Sequence, residues 1–314
     1  MDKRALIGIT LSVLVLILYQ QFINYYYDPL PTEGVAPSAT KSEAEKTAPP
    51  QPPTAGAAAA AKSAVVDLSA GQSAKDIKVE TDNYSAIFTT HGARLKSFKF
   101  KKFRTSADAK SPPFEIVSSA KDVPWPLGVR LQAPAPFEDG ALVYTVQGAD
   151  LKLTGDAKGS LLFQGQTAQG AVITKALTFS GASYAIGFEV GVKSADGAAL
   201  VPEVLLTDKS DHSVYNYDAP FEGFIALVDN KIKRELAEEA IKGHEYSGEV
   251  SWAGFGHTYF FFALMPDNGA QHKISVRQAG TALTAAISGP AANGRYTLFI
   301  GPKELDLLQS VGKG

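Results

Sequence analysis

The chain has 314 residues, a net charge of -2 and no cysteine. That balance argues against a nucleic-acid-binding face, which carries a marked positive excess, and the missing thiols exclude disulfides, thiol catalysis, cysteine zinc sites and a lipoprotein anchor. With 45% hydrophobic residues, a chain this long can bury roughly three quarters of its unfolded surface in one large domain or two small ones.

Residues 5–27 carry no charge, and Ala5 to Leu18 is almost wholly apolar. A helix of about 20 such residues spans a bilayer and satisfies its own backbone polar groups, as lipid requires. Ala5, Leu11, Leu14, Leu18 and Phe22 mark this expected anchor. Lys3 and Arg4 precede it, while Asp28 and Glu33 follow. The positive-inside rule therefore leaves the N-terminus in the cytoplasm and sends the rest of the chain across, with Tyr19 and Tyr25 to Tyr27 at the far interface. The bulky stretch Gln20 to Tyr25 offers no small-residue cleavage site, which favours an uncleaved anchor over a signal peptide.

Residues 28–75 are rich in Pro, Ala, Ser and Thr, with Pro49, Pro50, Pro52 and Pro53 favouring extended backbone. Too little apolar bulk is present to offset ordering entropy, so this stretch reads as a flexible tether. An alanine helix over 56–66 would be marginal in water.

From Ile77 onward, short runs alternate or carry β-branched and aromatic residues. The expected strands are 77–81, 85–90, 94–101, 127–132, 141–146, 160–164, 171–180, 184–193, 203–207, 223–228, 259–265, 273–277, 281–287 and 295–300. Gly, Asp and Asn punctuate them, which predicts an antiparallel sandwich or barrel over 76–314. The run Tyr259 to Phe262 reads as a strand buried on both faces. Two helices are expected. One covers 229–242, capped by Asp229 or Asn230, with Ile232, Leu236 and Ala240 on one side and Gly243 at its end. The other covers 303–311, after Gly301-Pro302, with Leu305, Leu307, Leu308 and Val311 giving it an apolar side.

Chemical motifs are sparse. His91, His212, His244, His257 and His272 have no metal-ligand spacing, and no cofactor motif is present. Ser118 to Lys121 matches S-x-x-K without the partner elements that would make it catalytic. Glu235, Glu238 and Glu239 read as a solvated helix face. Trp125, Tyr215, Tyr217 and Trp252, with Phe221 and Phe224, are candidate aromatics for a sugar-binding cleft, with core and loop packing as the plainer expectation.

Several stretches taken in order resemble the YidC family of membrane protein insertases. The opening Met-Asp-Lys-Arg and its apolar segment are similar to the family's first transmembrane helix. Val79 to Phe88 and Thr90 to Phe98 resemble its first strands, and Lys175 to Phe179 with Tyr184 to Ile186 a later hairpin. Ser251-Trp252-Ala253-Gly254, Tyr259 to Pro266 and Tyr296 to Glu304 are similar to its late motifs.

The resemblance implies a mainly β fold, a galactose-mutarotase-like β-supersandwich with a C-terminal helix, preceded by one transmembrane helix. It implies an inner-membrane protein whose bulk is periplasmic, accessory to insertion and folding of membrane proteins. The implied partners are the inner membrane, Sec translocon components and nascent membrane proteins. It also implies that the insertase helices lie in a further segment beyond residue 314, to which the helix at Lys303 would couple the domain. A membrane-tethered carbohydrate-binding or mutarotase-like protein and an envelope scaffold are the alternatives.

Overall fold

In the computed structural model, residues 73–117, 122–132, 136–212, 221–267, 271–304 and 306–307 are described. The expected anchor, the tether to residue 72, the S-x-x-K match, Tyr215, Tyr217, Leu305 and Leu308 lie outside them. Among the described residues, no helix is long and apolar enough to cross a membrane.

The domain is mainly β. In chain order the strands are β1 (Asp76–Glu80), β2 (Tyr84–Thr89), β3 (Arg94–Arg104), β4 (Pro113–Val117), β5 (Gly128–Leu131), β6 (Phe137–Glu138), β7 (Thr145–Gln147), β8 (Leu151–Lys152), β9 (Lys158–Gln166) and β10 (Val172–Ser180). Then come β11 (Ala185–Lys193), β12 (Pro202–Lys209), β13 (Gly223–Val228), β14 (Lys231–Glu235), β15 (His244–Gly256), β16 (Phe260–Pro266), β17 (Gln271–Ala279), β18 (Ala282–Ser288) and β19 (Asn293–Pro302). A single turn of helix, α1 (Ala237–Ala240), lies between β14 and β15.

A small sheet runs β4-β3-β2-β1-β8. A large one runs β6-β5-β12-β18-β17-β15-β16-β19-β11-β10-β9-β7, with the β13–β14 hairpin attached to β15. Strand β15 turns a corner within the large sheet. Its first part, His244 to Glu249, pairs with β17. Its last part, Ala253 to Gly256, pairs with β16, and β13 lies along its other edge. The corner divides the sheet into a β6-to-β17 half and a β16-to-β7 half.

The small sheet packs on the second half through aromatic contacts. Phe88 meets Phe179 at 5.6 Å, and Phe100 stacks on Phe260 at 4.5 Å between ring centroids. Each fully buried ring contributes about 1.5–3 kcal/mol of transfer free energy. Strand β16 is buried along its whole length, as its apolar run predicts, whereas Tyr259 just before it is 73% exposed. Gly254 explains the glycine of the Trp252-Ala253-Gly254 stretch, since a Cβ there would lie 2.0 Å from the Phe262 carbonyl oxygen on β16.

The helix expected over 229–242 is corrected. Residues 231–235 form β14, hairpinned to β13 in register, and only Ala237–Ala240 is helical. Asp229 and Asn230 have φ of 49° and 57°, the left-handed pair that a two-residue hairpin turn requires. The Asp229 carboxylate also accepts the Glu249 amide at 2.8 Å, tying the turn to β15. The strand expected at 141–146 is shorter, because Asp139–Ala141 makes a 3-10 turn, Val143 makes an isolated bridge to His91 and β7 begins at Thr145.

This turn separates the two local structures by experiment. In a hairpin, Asn230→Gly is neutral to mildly stabilising, and Asn230→Val costs about 1–2 kcal/mol because a β-branched residue resists positive φ. In a helix, Gly would be the poorer residue by only about 0.3 kcal/mol and Val would be nearly neutral. Urea denaturation of both variants distinguishes the two.

Candidate functional site

Strand β10 carries Ile173, Lys175, Leu177 and Phe179 on one face, and all four are buried. Period-2 alternation therefore drives a lysine into the core. Its Nζ donates to the carbonyls of Gly92 and Leu127, each at 2.6 Å, and pairs with Asp139 Oδ2 at 2.6 Å. Asp139, with no exposed surface, also accepts the Tyr144 hydroxyl at 2.8 Å, the Val129 amide at 2.9 Å and Arg94 Nη2 at 3.2 Å. Arg94 reaches on to Glu138 and the Trp125 carbonyl, both at 3.0 Å. Gly92, at φ +70°, makes the β2–β3 turn, and a Cβ there would press on Arg94 Nε at 2.9 Å. Leu127 holds the left-handed φ of 69°, and its carbonyl accepts from the lysine.

This cluster joins the small sheet's β2–β3 turn, the β5–β6 edge of the large sheet and β10 in its other half. Burial pushes the Lys175 ammonium down to about 8, against the favourable pull of Asp139, while burial and the neighbouring carboxylate push the Tyr144 phenol well up.

The second feature is a groove on the open face of the first half. Register places Arg130 beside Glu203, Glu203 beside Ser288, Ser288 beside Lys273 and Lys273 beside Ser247. The adjoining row runs Leu205, Ala286, Ser275 and Glu245. Small residues form the floor and long charged ones the walls. The cavity is about 460 Å³, with Tyr246 and Arg277 in its lining. A contiguous stretch of about 590 Å³ shares Glu203, Lys273 and Ser288 and adds Leu200, Val201, His272 and Pro290. Arg130 is held by Glu203 at 3.5 Å and Glu138 at 3.6 Å. Lys273 and Arg277 have no carboxylate within ion-pair distance among the described residues, so their charges face the groove.

The sequence-predicted residues scatter. Trp125 lies before β5, with the Lys96 ammonium 5.6 Å above its ring. Trp252 packs edge-on against Phe261 at 5.1 Å. Neither lines the groove. Phe224 is core, and Phe221 lies under the Arg234 guanidinium at 5.7 Å. Lys303 follows β19, its amide donating to the Tyr259 carbonyl at 2.8 Å; Asp306 and Leu307 are helical. His244 meets Glu235 at 2.5 Å and His257 meets Asp208 at 3.4 Å, and neither of these histidines lines the groove. Glu235 is buried and also accepts the Tyr246 hydroxyl, so it is no solvated helix face.

Asp139→Asn keeps the shape and leaves two buried cations without their shared anion, which should cost about 3–5 kcal/mol. Adding Lys175→Met should recover part of that loss, with a coupling of about 1–3 kcal/mol in urea melts.

The lysine also has a pH signature. Between about 8 and 10.5 the unfolded chain keeps the Lys175 proton that the folded chain gives up. Stability from this group therefore rises with pH, and the urea midpoint should climb from about pH 7 to 9.5 relative to Lys175→Met.

A family model described as the YidC periplasmic domain matches residues 76–314. A membrane protein insertase YidC of Syntrophus aciditrophicus (strain SB) is 30% identical over 335 residues, covering 100% of this chain and 61% of that protein. The one from Citrifermentans bemidjiense is 30% identical, covering 99% of this chain and 60% of that protein. The chain thus spans about three fifths of the length of these curated relatives. Among solved structures, a galactose mutarotase-like protein from Lactobacillus casei covers 73% of this chain and 100% of its own, at 9% identity and TM-score 0.45. An alpha-galactosidase from Lactobacillus brevis covers 74% of this chain and 40% of its own, at 10% identity and TM-score 0.46. On the strength of the family match and the full-length relatives, this chain belongs to the YidC periplasmic domain family.

Proposed function

We propose that this chain is the anchored, exported part of an inner-membrane insertase. Residues 1–27 form the transmembrane anchor with a cytoplasmic N-terminus, 28–75 the tether and 76–314 the periplasmic domain. The domain is accessory to insertion and folding of inner-membrane proteins, with or without the Sec translocon. It works by binding, without covalent chemistry or a cofactor. The observation that carries this reading is the match of 76–314 to the periplasmic domain family, behind an uncharged N-terminal segment.

The groove supports a binding role. Its floor of Ser247, Ser275, Ala286 and Ser288 is shallow enough for an extended backbone, and its walls offer charge at one end and apolar surface at the other. Such a surface takes segments of varied sequence, since the serine hydroxyls of its floor can bond a main chain of any sequence while the bound side chains meet the walls. The segment that follows β19 from Lys303, helical at Asp306 and Leu307, couples the domain to the membrane-embedded part of the full protein.

Photocrosslinkers placed in cells at Ser247 and Ser275 should capture Sec components or nascent membrane proteins, and one at exposed Lys158, outside the groove, should not. Equal capture from all three positions would refute the groove's role. The purified chain should show no aldose 1-epimerisation, and measurable turnover would favour the carbohydrate-active alternative.

A further inference from the structure

The β3–β4 hairpin extends past its sheet. Tyr84, the first residue of β2, pairs with Phe100, and the Lys101 amide makes the last bond of β3 to that side, to the Asn83 carbonyl at 2.8 Å. Beyond it, 102–112 project as a two-stranded tip closed by the Arg104–Pro113 pairing. Lys101, Lys102, Arg104 and Lys110 stand on this projection with a single carboxylate, Asp108, in a chain that is negative overall. Asp108 is turned inward on the loop, accepting the Lys110 amide at 2.9 Å. Lys101 is paired with Glu80 at 3.0 Å, and Arg104 donates to the Ser111 carbonyl at 2.6 Å. Lys102, Arg104 and Lys110 have no carboxylate within ion-pair distance among the described residues, and all three are exposed.

The base of this tip is rigid. Phe103 and Phe114 pack against Phe260, at 5.1 and 4.7 Å between centroids. Phe260 pairs in register with Pro302, so the tip stands beside the point where the chain leaves β19. Tyr259, next to Phe260, is 73% exposed. An exposed phenol beside unpaired cations is the composition that settles at a headgroup layer, ring half in lipid and charges on phosphate.

We propose that this edge, the 102–112 tip with Tyr259, is a membrane-docking surface that presses Lys102, Arg104 and Lys110 onto anionic lipid headgroups. It rests on the reading of the domain as membrane-tethered and adds which side faces the bilayer. A basic edge makes one orientation preferred, and its strength follows lipid charge and ionic strength.

The absence of native cysteine allows single-site labelling of the full chain. An environment-sensitive fluorophore at Ser106→Cys, on the tip, is compared with one at Ser194→Cys. Ser194 follows the end of β11 that lies away from Phe299 and Pro302. The chain is reconstituted into phosphatidylcholine vesicles with or without phosphatidylglycerol, each carrying headgroup-level quencher lipids. The tip should be quenched in the anionic vesicles and not in the neutral ones, and Ser194→Cys should be unquenched in both. Quenching should be lost in about 0.5 M salt and in the Lys102→Glu, Arg104→Glu, Lys110→Glu variant, whose exposed changes leave the fold intact. Equal quenching at both positions, or tip quenching indifferent to lipid charge and to the substitutions, overturns the proposal. So does a tip that is unquenched in vesicles but crosslinks to an acidic protein segment in cells. Flotation reads the anchor separately: a chain that does not float with the vesicles overturns both readings, and one that floats with an unquenched tip overturns this one alone.

Discussion

Asp139 has no access to solvent, yet it accepts hydrogen bonds from a lysine, an arginine, a phenol and a backbone amide. A carboxylate in a low-dielectric interior is tolerable only with its lone pairs satisfied, and here donors from several segments converge to satisfy them. Lys175 comes from one half of the large sheet, Val129 from the other, and Arg94 from the small sheet. None of these donors can withdraw without stranding another charge. The cluster is therefore a geometric lock as much as a source of stability. An apolar replacement of similar volume could be as stable, but it would not specify the angle between the sheets in the same way.

That lock positions both surfaces on which the functional reading rests. Glu138, beside Asp139, reaches Arg94 on the inside and Arg130 on the groove side. The groove wall is thus tied through one short strand to the buried core. On the small sheet, Arg94 fixes the start of β3, and the same strand carries Lys102 and Arg104 at its far end. The rings of Phe100 and Phe260 transmit that placement to the point where the chain leaves the fold.

Much of the β architecture was legible, because period-2 alternation is a local property. The lysine in the core was missed although its signal was local, since Lys175 stands in step with Ile173, Leu177 and Phe179. What receives it left no local signal, because Gly92 lies 83 residues away and Leu127 lies 48. Strand β15 escaped notice because its two parts belong to different halves of the sheet, and its glycines and polar residues break the alternation. The helix over 229–242 failed for a different reason. Its i, i+4 pairs are real in sequence, but Asp229 and Asn230 readily take positive φ, and pairing with β13 overrode helical propensity. The groove could not be read at all, since its rows exist only once five strands are in register.

Strand β15 serves both halves of the large sheet, one by its first part and the other by its last. No loop cleavage can release either half with its hydrogen bonding whole, so grafting or truncation experiments that treat them as interchangeable modules would cut through a shared backbone. A perturbation that frays the groove floor at Ser247 has only a handful of residues to travel before it reaches the pairing with β16, next to the docking edge. The two surfaces are mechanically continuous, although they face different surroundings.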